Sequence, residues 1–332
     1  MRLIWILLGL LVLVLSACRV RPTWDGIIKI AIVAPYSGPA TADGLSMLAG
    51  ARLAANEVNE AGGIGGRRIV LIAPDERTSS TPRDVLSDPD VVAVVGHVLP
   101  DGERAGALYR EAGLIWLATE PIAAGQDVYP MVAAPATVYQ ALDRLLRFDG
   151  ETSTSRVAGI VDACRRAAEA GGGVVDRSDM RLICGGEPNT AEEVLTRASA
   201  TERILCVAAW CDGPELVEWA GNTRFDFIRS DASSGDARAW ARFEGRLGPS
   251  ARVTTEAALG YDGVRLVAEA ARRATERGVL TREAVAQEMH ETDFSGVLGA
   301  YGPHGRRVPV VVARHSAGVY PGTTIFRLEG AP

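Results

Sequence analysis

Five cysteines and four histidines are the side chains in this sequence whose chemistry reaches furthest: thiolate attack, metal ligation or disulfide formation. Cys164, Cys184, Cys206 and Cys211 share one stretch of the second half, while His97, His290, His304 and His315 are scattered. No Cys-x-x-Cys pair occurs, so the spacing of a zinc site is missing. A covalent catalyst needs a nucleophile with an oriented base. Neither Gly-x-Ser-x-Gly nor His-Glu-x-x-His occurs, and no spacing joins Cys164 or Cys211 to His97 as nucleophile and base. The glycine run Gly62-Gly63-Ile64-Gly65-Gly66 is not a phosphate cradle, because it follows a helix and opens a strand, the reverse of that order. These residues form no pattern of an enzyme, a metal site or a cofactor site, and a secreted hydrolase stands only as a distant alternative.

The N-terminus sets the compartment. Arg2 precedes an apolar run from Leu3 to Leu15, which ends in Leu15-Ser16-Ala17-Cys18. A basic residue, a short apolar region and small residues at its end describe a secretory signal peptide, shorter than the roughly 20 residues a membrane span needs. The Leu-Ser-Ala-Cys ending resembles the lipobox of bacterial lipoproteins, which implies lipidation at Cys18 and a place on the outer face of the cytoplasmic membrane or in the periplasm. In an oxidising compartment a disulfide is expected among the remaining cysteines. Cys206, inside an apolar strand, reads as a buried free thiol. Cys164, Cys184 and Cys211 read as lying near carboxyl ends of neighbouring strands, so Cys164 can approach Cys184 or Cys211, and Cys164–Cys184 is favoured. The formal charge of −6 argues against a nucleic-acid partner.

The elements follow from hydrophobic periodicity. Ile27–Ala34 is a nearly continuous apolar strand, and Leu45, Leu48, Ala51, Ala55 and Val58 give the next segment, Asp43–Glu60, one apolar helical face. Strands at 68–73, 91–96 and 114–117 continue the alternation, with a helix from Asp101 to Glu111. A second series holds a helix at 138–148, strands at 156–162, 180–184, 204–210 and 225–228, a long helix at 261–277 and closing strands at 308–313 and 320–327. The expectation is α/β: two Rossmann-like lobes with parallel sheets, joined by several chain crossings with a cleft between them. Residues 1–17 form the signal peptide and 18–26 a tether. Residues 27–134 plus 255–311 form the N-terminal lobe, and 135–254 plus 312–330 the C-terminal lobe. Ligands of such sheets bind beyond the carboxyl ends of the strands.

Those loops carry a resemblance. Ile30–Val33, Ser37-Gly38-Pro39, Asn59-Glu60-Ala61-Gly62-Gly63-Ile64-Gly65-Gly66, Asp75, Val95-Gly96-His97, Ala118-Thr119-Glu120-Pro121, Gly260-Tyr261-Asp262-Gly263 and Phe294-Ser295-Gly296 fall in the order of the type I periplasmic binding proteins. The chain is most similar to the leucine/isoleucine/valine-binding subunits of ABC importers. The resemblance implies a small amino acid or amine-like ligand, handed to ABC permease subunits. It implies Thr119 and neighbouring backbone as the carboxylate site, with Ala118, Gly96 and His97 alongside. Trp210 and Asp231 stand where the family holds the ligand's ammonium. This chain departs from the family in Val98-Leu99-Pro100-Asp101, where a serine is expected, and in Asp43, where a tyrosine is expected. These acids favour a cationic ligand if they face the cleft. Arg165 or Arg166 stands as an anion partner from the other lobe. A ligand-sensing module for a signalling partner is the alternative to import.

Overall fold

The computed structural model describes residues 26–99, 102–120, 128–185, 188–199, 201–208, 211, 214–221, 223–230, 237–248, 253–306, 308–316 and 319–328. In the first lobe β1 (Ile27–Val33), β2 (Arg68–Ile72), β3 (Val91–Gly96), β4 (Ile115–Ala118) and β5 (Val128–Pro130) form one sheet in the order β2-β1-β3-β4-β5. Every pairing in it is parallel. All residues of β3 and β4 are buried, which is why these segments read as unbroken apolar runs. Helices α1 (Thr41–Glu60), α2 (Thr81–Ser87) and α3 (Gly102–Glu111) connect the strands.

The second sheet runs β14-β13-β9-β8-β7-β6. Its strands are β6 (Gly173–Asp176), β7 (Arg181–Cys184), β8 (Ile204–Val207), β9 (Phe225–Ser230), β13 (Val310–Ser316) and β14 (Val319–Leu328). Only its centre, β7-β8-β9, is parallel; β6, β13 and β14 pair antiparallel with their neighbours. This corrects the expectation of parallel sheets in both lobes. The short β6–β7 and β13–β14 connections permit only antiparallel pairing, and β13 enters antiparallel to β9 after the chain's return through the first lobe. The helices of this lobe are α4 (Pro135–Phe148), α5 (Thr154–Glu169), α6 (Pro188–Arg197) and α7 (Pro214–Ala220). The strand expected over 156–162 is the front of α5. Ser153 caps that helix by accepting the Arg156 N–H at 3.3 Å, and Val157, Ile160 and Cys164 bury one helical face.

The chain then returns to the first lobe. Helix α8 (Ala237–Leu247) sets Phe243 into the first core, 5.2 Å from the Tyr261 ring. Packing thus joins α8 to the first core. Helices α9 (Thr255–Glu276) and α10 (Arg282–Met289) follow, with a small antiparallel sheet of β10 (Phe294–Ser295), β11 (Ala300–Gly302) and β12 (Gly305–Arg306). Two glycines let α9 lie directly on α1. A Cβ on Gly50 would stand 1.8 Å from the Ala257 carbonyl oxygen, and one on Gly260 would stand 2.1 Å from that of Met47.

Two disulfides close the second lobe. Cys164 on α5 bonds Cys184 at the end of β7, with Cα atoms 5.3 Å apart. Cys206 on β8 bonds Cys211, with Cα atoms 5.7 Å apart, and so is not a free thiol. The short reach from Cys206 to the turn beyond its own strand is what the apolar setting of Cys206 concealed.

Two glycine substitutions separate crowding from helix propensity. Gly260→Ala should lower unfolding stability by about 1–3 kcal/mol, because overpacking outweighs the gain of roughly 1 kcal/mol that alanine brings to a helix. Gly159→Ala in α5, where an added Cβ meets nothing within 4 Å, should instead stabilise by about 0.5–1 kcal/mol. Urea denaturation of both variants checks this; a neutral or stabilising Gly260→Ala refutes the close contact.

Candidate functional site

The first sheet changes winding direction between β1 and β3: the chain leaves β1 toward β2 on one side and leaves β3 toward β4 on the other. The crevice outside the carboxyl ends of the strands at such a point is where open α/β sheets bind ligands. Gly96, last residue of β3, allows the two strands to close there. Its φ is +131°, and a Cβ would lie 1.9 Å from the Val33 carbonyl oxygen.

Asp75 fastens the loops after β1 and β2. It bridges to Ala34 as an isolated extension of the sheet. Its Oδ1 accepts the N–H of Tyr36 at 3.2 Å and of Arg77 at 3.1 Å. Burial pushes the Asp75 carboxyl up, but hydrogen bonds from the Ser37 side chain and these two amides prevail and hold it below the ordinary carboxylate value of 3.8.

Glu76 does the same for the loop after β3, from a more buried place: its side chain is 2% exposed. Glu76 Oε2 accepts the Val98 N–H at 3.1 Å, and Oε1 accepts the Leu99 N–H at 3.2 Å. His97 Nδ1 lies 3.2 Å from Glu76 Oε2, and His97 Nε2 lies 3.3 Å from the Tyr109 hydroxyl. Burial, helped by the Glu76 carboxylate, pushes the Tyr109 phenol upward, so it stays protonated. The His97 ring is 5.9 Å from Trp116 in an edge-on arrangement, and the Trp116 indole N–H donates to the Gly96 carbonyl. Thr119, 5% exposed just beyond β4, donates its hydroxyl to the His97 carbonyl at 2.7 Å. The result is a buried polar cluster at the switch point in which donors and acceptors are matched within the chain.

Residues 27–160 match the periplasmic binding protein family. A 20% identical structure, the branched-chain amino acid transporter substrate binding protein LivJ from Streptococcus pneumoniae in complex with isoleucine, superposes with a TM-score of 0.67, over 92% of this chain and 100% of that one. This is the type I periplasmic binding protein fold. The leucine binding protein LivK from Thermotoga maritima shares it at 19% identity, TM-score 0.66, over 92% of this chain and 99% of that one. So does a solute binding protein from R. palustris in complex with benzoate, at 12% identity and TM-score 0.62, over 92% of this chain and 98% of that one. An amino acid binding protein from Pseudomonas aeruginosa is 26% identical over 211 residues, 58% of this chain. The chain spans about half, 54%, of that relative's length.

Within this periplasmic binding protein fold the expected residues fall into three groups. Gly96, His97 and Thr119 come together at the switch point. Ala118 is fully buried at the end of β4, and its carbonyl accepts the Met131 N–H at 2.9 Å. Asp43 sits in the first turn of α1, where the helix dipole favours an acid. Asp101, Trp210, Asp231 and Cys18 lie outside the described residues. Arg165 and Arg166 pair with Asp162, and Arg165 also with Glu169 at 2.7 Å, along the surface of α5, so neither points to an anion from the other lobe. The sequence reading missed Glu76, whose one signal was its position directly after Asp75 at the carboxyl end of β2. Among the described residues no cluster of His, Cys, Asp and Glu is arranged to hold a metal.

A carboxyl held low by its fold stabilises the fold above its ordinary value, and that contribution is lost as pH falls through the lowered one. Asp75→Asn should therefore be less stable than the parent at neutral pH, with the gap closing below about pH 4. Thermal midpoints at both pH values check this; an unchanged gap would show that the Asp75 charge contributes nothing.

Proposed function

We propose that the chain is an extracytoplasmic solute-binding protein, tethered through lipid on Cys18, which captures a small amino acid or amine-like solute and delivers it to ABC permease subunits. The observation that carries this is the buried polar cluster of Glu76, His97 and Thr119 at the switch point of a periplasmic binding protein sheet. The isoleucine- and leucine-binding proteins that share the fold support an amino acid or a close relative of one. Function is then capture by closure of two lobes around the crevice, with no bond made or broken. On this reading Trp210 and Asp231 supply the second lobe's side: an aromatic face and a carboxylate for a ligand ammonium, the ring contributing about 0.5–2 kcal/mol.

A thermal-shift screen over amino acids, amines and small carboxylates tests the reading. A ligand that binds only the folded state raises its stability by about 2.7 kcal/mol at a hundredfold excess over Kd. Asp231→Ala should weaken the best ligand by more than about tenfold, because an unpaired buried charge costs about 2–5 kcal/mol. No response to any solute, together with turnover of an ester or peptide panel, would sink the binding reading. Cys18→Ser should move the protein from the membrane to the soluble fraction or leave the leader uncleaved. An unmodified residue 18 within an intact N-terminus would refute the anchor.

A further inference from the structure

The loop after β3 has the makings of an anion site. The N–H groups of Val98 and Leu99 converge on one point, and the His97 ring faces the same point. That point is already taken. Both Glu76 carboxylate oxygens occupy it, at 3.1 and 3.2 Å from the two amide nitrogens, and the side chain is closed off from solvent. The hydroxyl that stands beside this loop is committed as well, since the single proton of Thr119 goes to the His97 carbonyl at 2.7 Å. What Thr119 has left is lone pairs. The guanidinium of Arg77 packs against Gly38 on the exposed side of the β1 loop.

We propose that Glu76 is a built-in counter-anion that fills the anion place of the first lobe, so that this lobe selects a ligand offering it a hydrogen-bond donor, an ammonium or a carboxamide, in place of a free carboxylate. A ligand carboxylate would meet acceptors and a fixed negative charge where an empty amide pair would have welcomed it. An ammonium or amide N–H finds the Thr119 lone pairs and the field of Glu76. Glu76 acts on specificity by occupying a site, without touching the ligand itself. The ligand class rests on the solute-binding reading above; the occupancy of the amide pair by Glu76 does not.

The experiment has two arms on the full-length protein. In the first, Glu76→Ala is melted with and without sodium formate or acetate. Removing the carboxylate leaves the N–H groups of Val98 and Leu99 without their acceptor, and formate should restore a large part of the lost melting temperature while leaving the wild type unmoved; no formate-specific rescue overturns the internal-anion role. In the second, amino acids are compared with their amides and their decarboxylated amines. The wild type should bind the amide or amine member at least about tenfold more tightly than the acid. In Glu76→Ala the acid should gain on its partners. An acid that binds the wild type as well as its amide does overturns the selectivity. If no member of any pair binds, the solute-binding reading falls while the formate arm still decides the role of Glu76. Should Glu76→Ala not fold, Glu76→Gln keeps the shape and one acceptor. It should shrink the wild-type preference for amine over acid by about tenfold, and an unchanged preference counts against the proposal.

Discussion

The contact on which the rest of the molecule depends is that between α1 and α9. Gly50 and Gly260 strip the side chains from both sides of the interface, so that each backbone lies against a carbonyl of the other helix. This places residues 41–60 and 255–276, far apart in sequence, in one layer over one sheet. The junction is extended by Glu57, which accepts the Tyr261 hydroxyl at 2.7 Å and pairs with Arg246 of α8. A chain whose first and last thirds share a lobe must leave it and return. The second sheet is built on that excursion.

Buried carboxylates then set the loops. Asp262, fully buried on α9, accepts the N–H groups of Val297 and Leu298 at 2.8 and 2.9 Å and the Tyr301 hydroxyl at 2.9 Å. Burial pushes its carboxyl up against the pull of these donors and of Arg306. It thereby nails the turn before β11 to the helix that organises the lobe. Glu76 is built on the same plan, a carboxylate answering two consecutive amides. A buried charge is tolerated only when such partners surround it, and removing one partner costs more than the pair contributes. The difference is place. Asp262 fixes the turn before β11, whereas Glu76 holds the loop after β3, where the sheet reverses its winding.

How much of this was legible in the sequence follows from what each feature depends on. The buried strands of the first lobe announce themselves, because a parallel strand covered on both faces must be apolar throughout. Val157–Val161 is equally apolar and belongs to a helix. A short apolar run does not distinguish the two, and the deciding feature is the Ser153 cap just before it. The antiparallel margins of the second sheet depend on turn lengths rather than on strand composition. Thr119 and His97 were legible through the resemblance of the Ala118-Thr119-Glu120-Pro121 and Val95-Gly96-His97 runs. The direction of the Thr119 hydrogen bond was not, nor was Glu76, whose partners lie 22 and 23 residues away in the chain. Pairing of a buried polar group is a tertiary fact, and composition around Glu76 carries no trace of it.

That pairing also bears on where binding energy can arise. An open crevice with an empty amide pair would hold unmet donors, satisfied by water until a ligand displaces it. Here the amides of Val98 and Leu99, the ring nitrogens of His97 and the proton of Thr119 are matched before any ligand arrives. The described part of the loop after β3 is thus preorganised, and a ligand need not repay its ordering. Among the described groups of this cluster a ligand has little left to gain except through acceptors. On the proposed reading the second lobe and the area covered on closure supply the rest of the affinity. The first lobe, by contrast, acts through exclusion, turning away an anion that its own carboxylate already replaces.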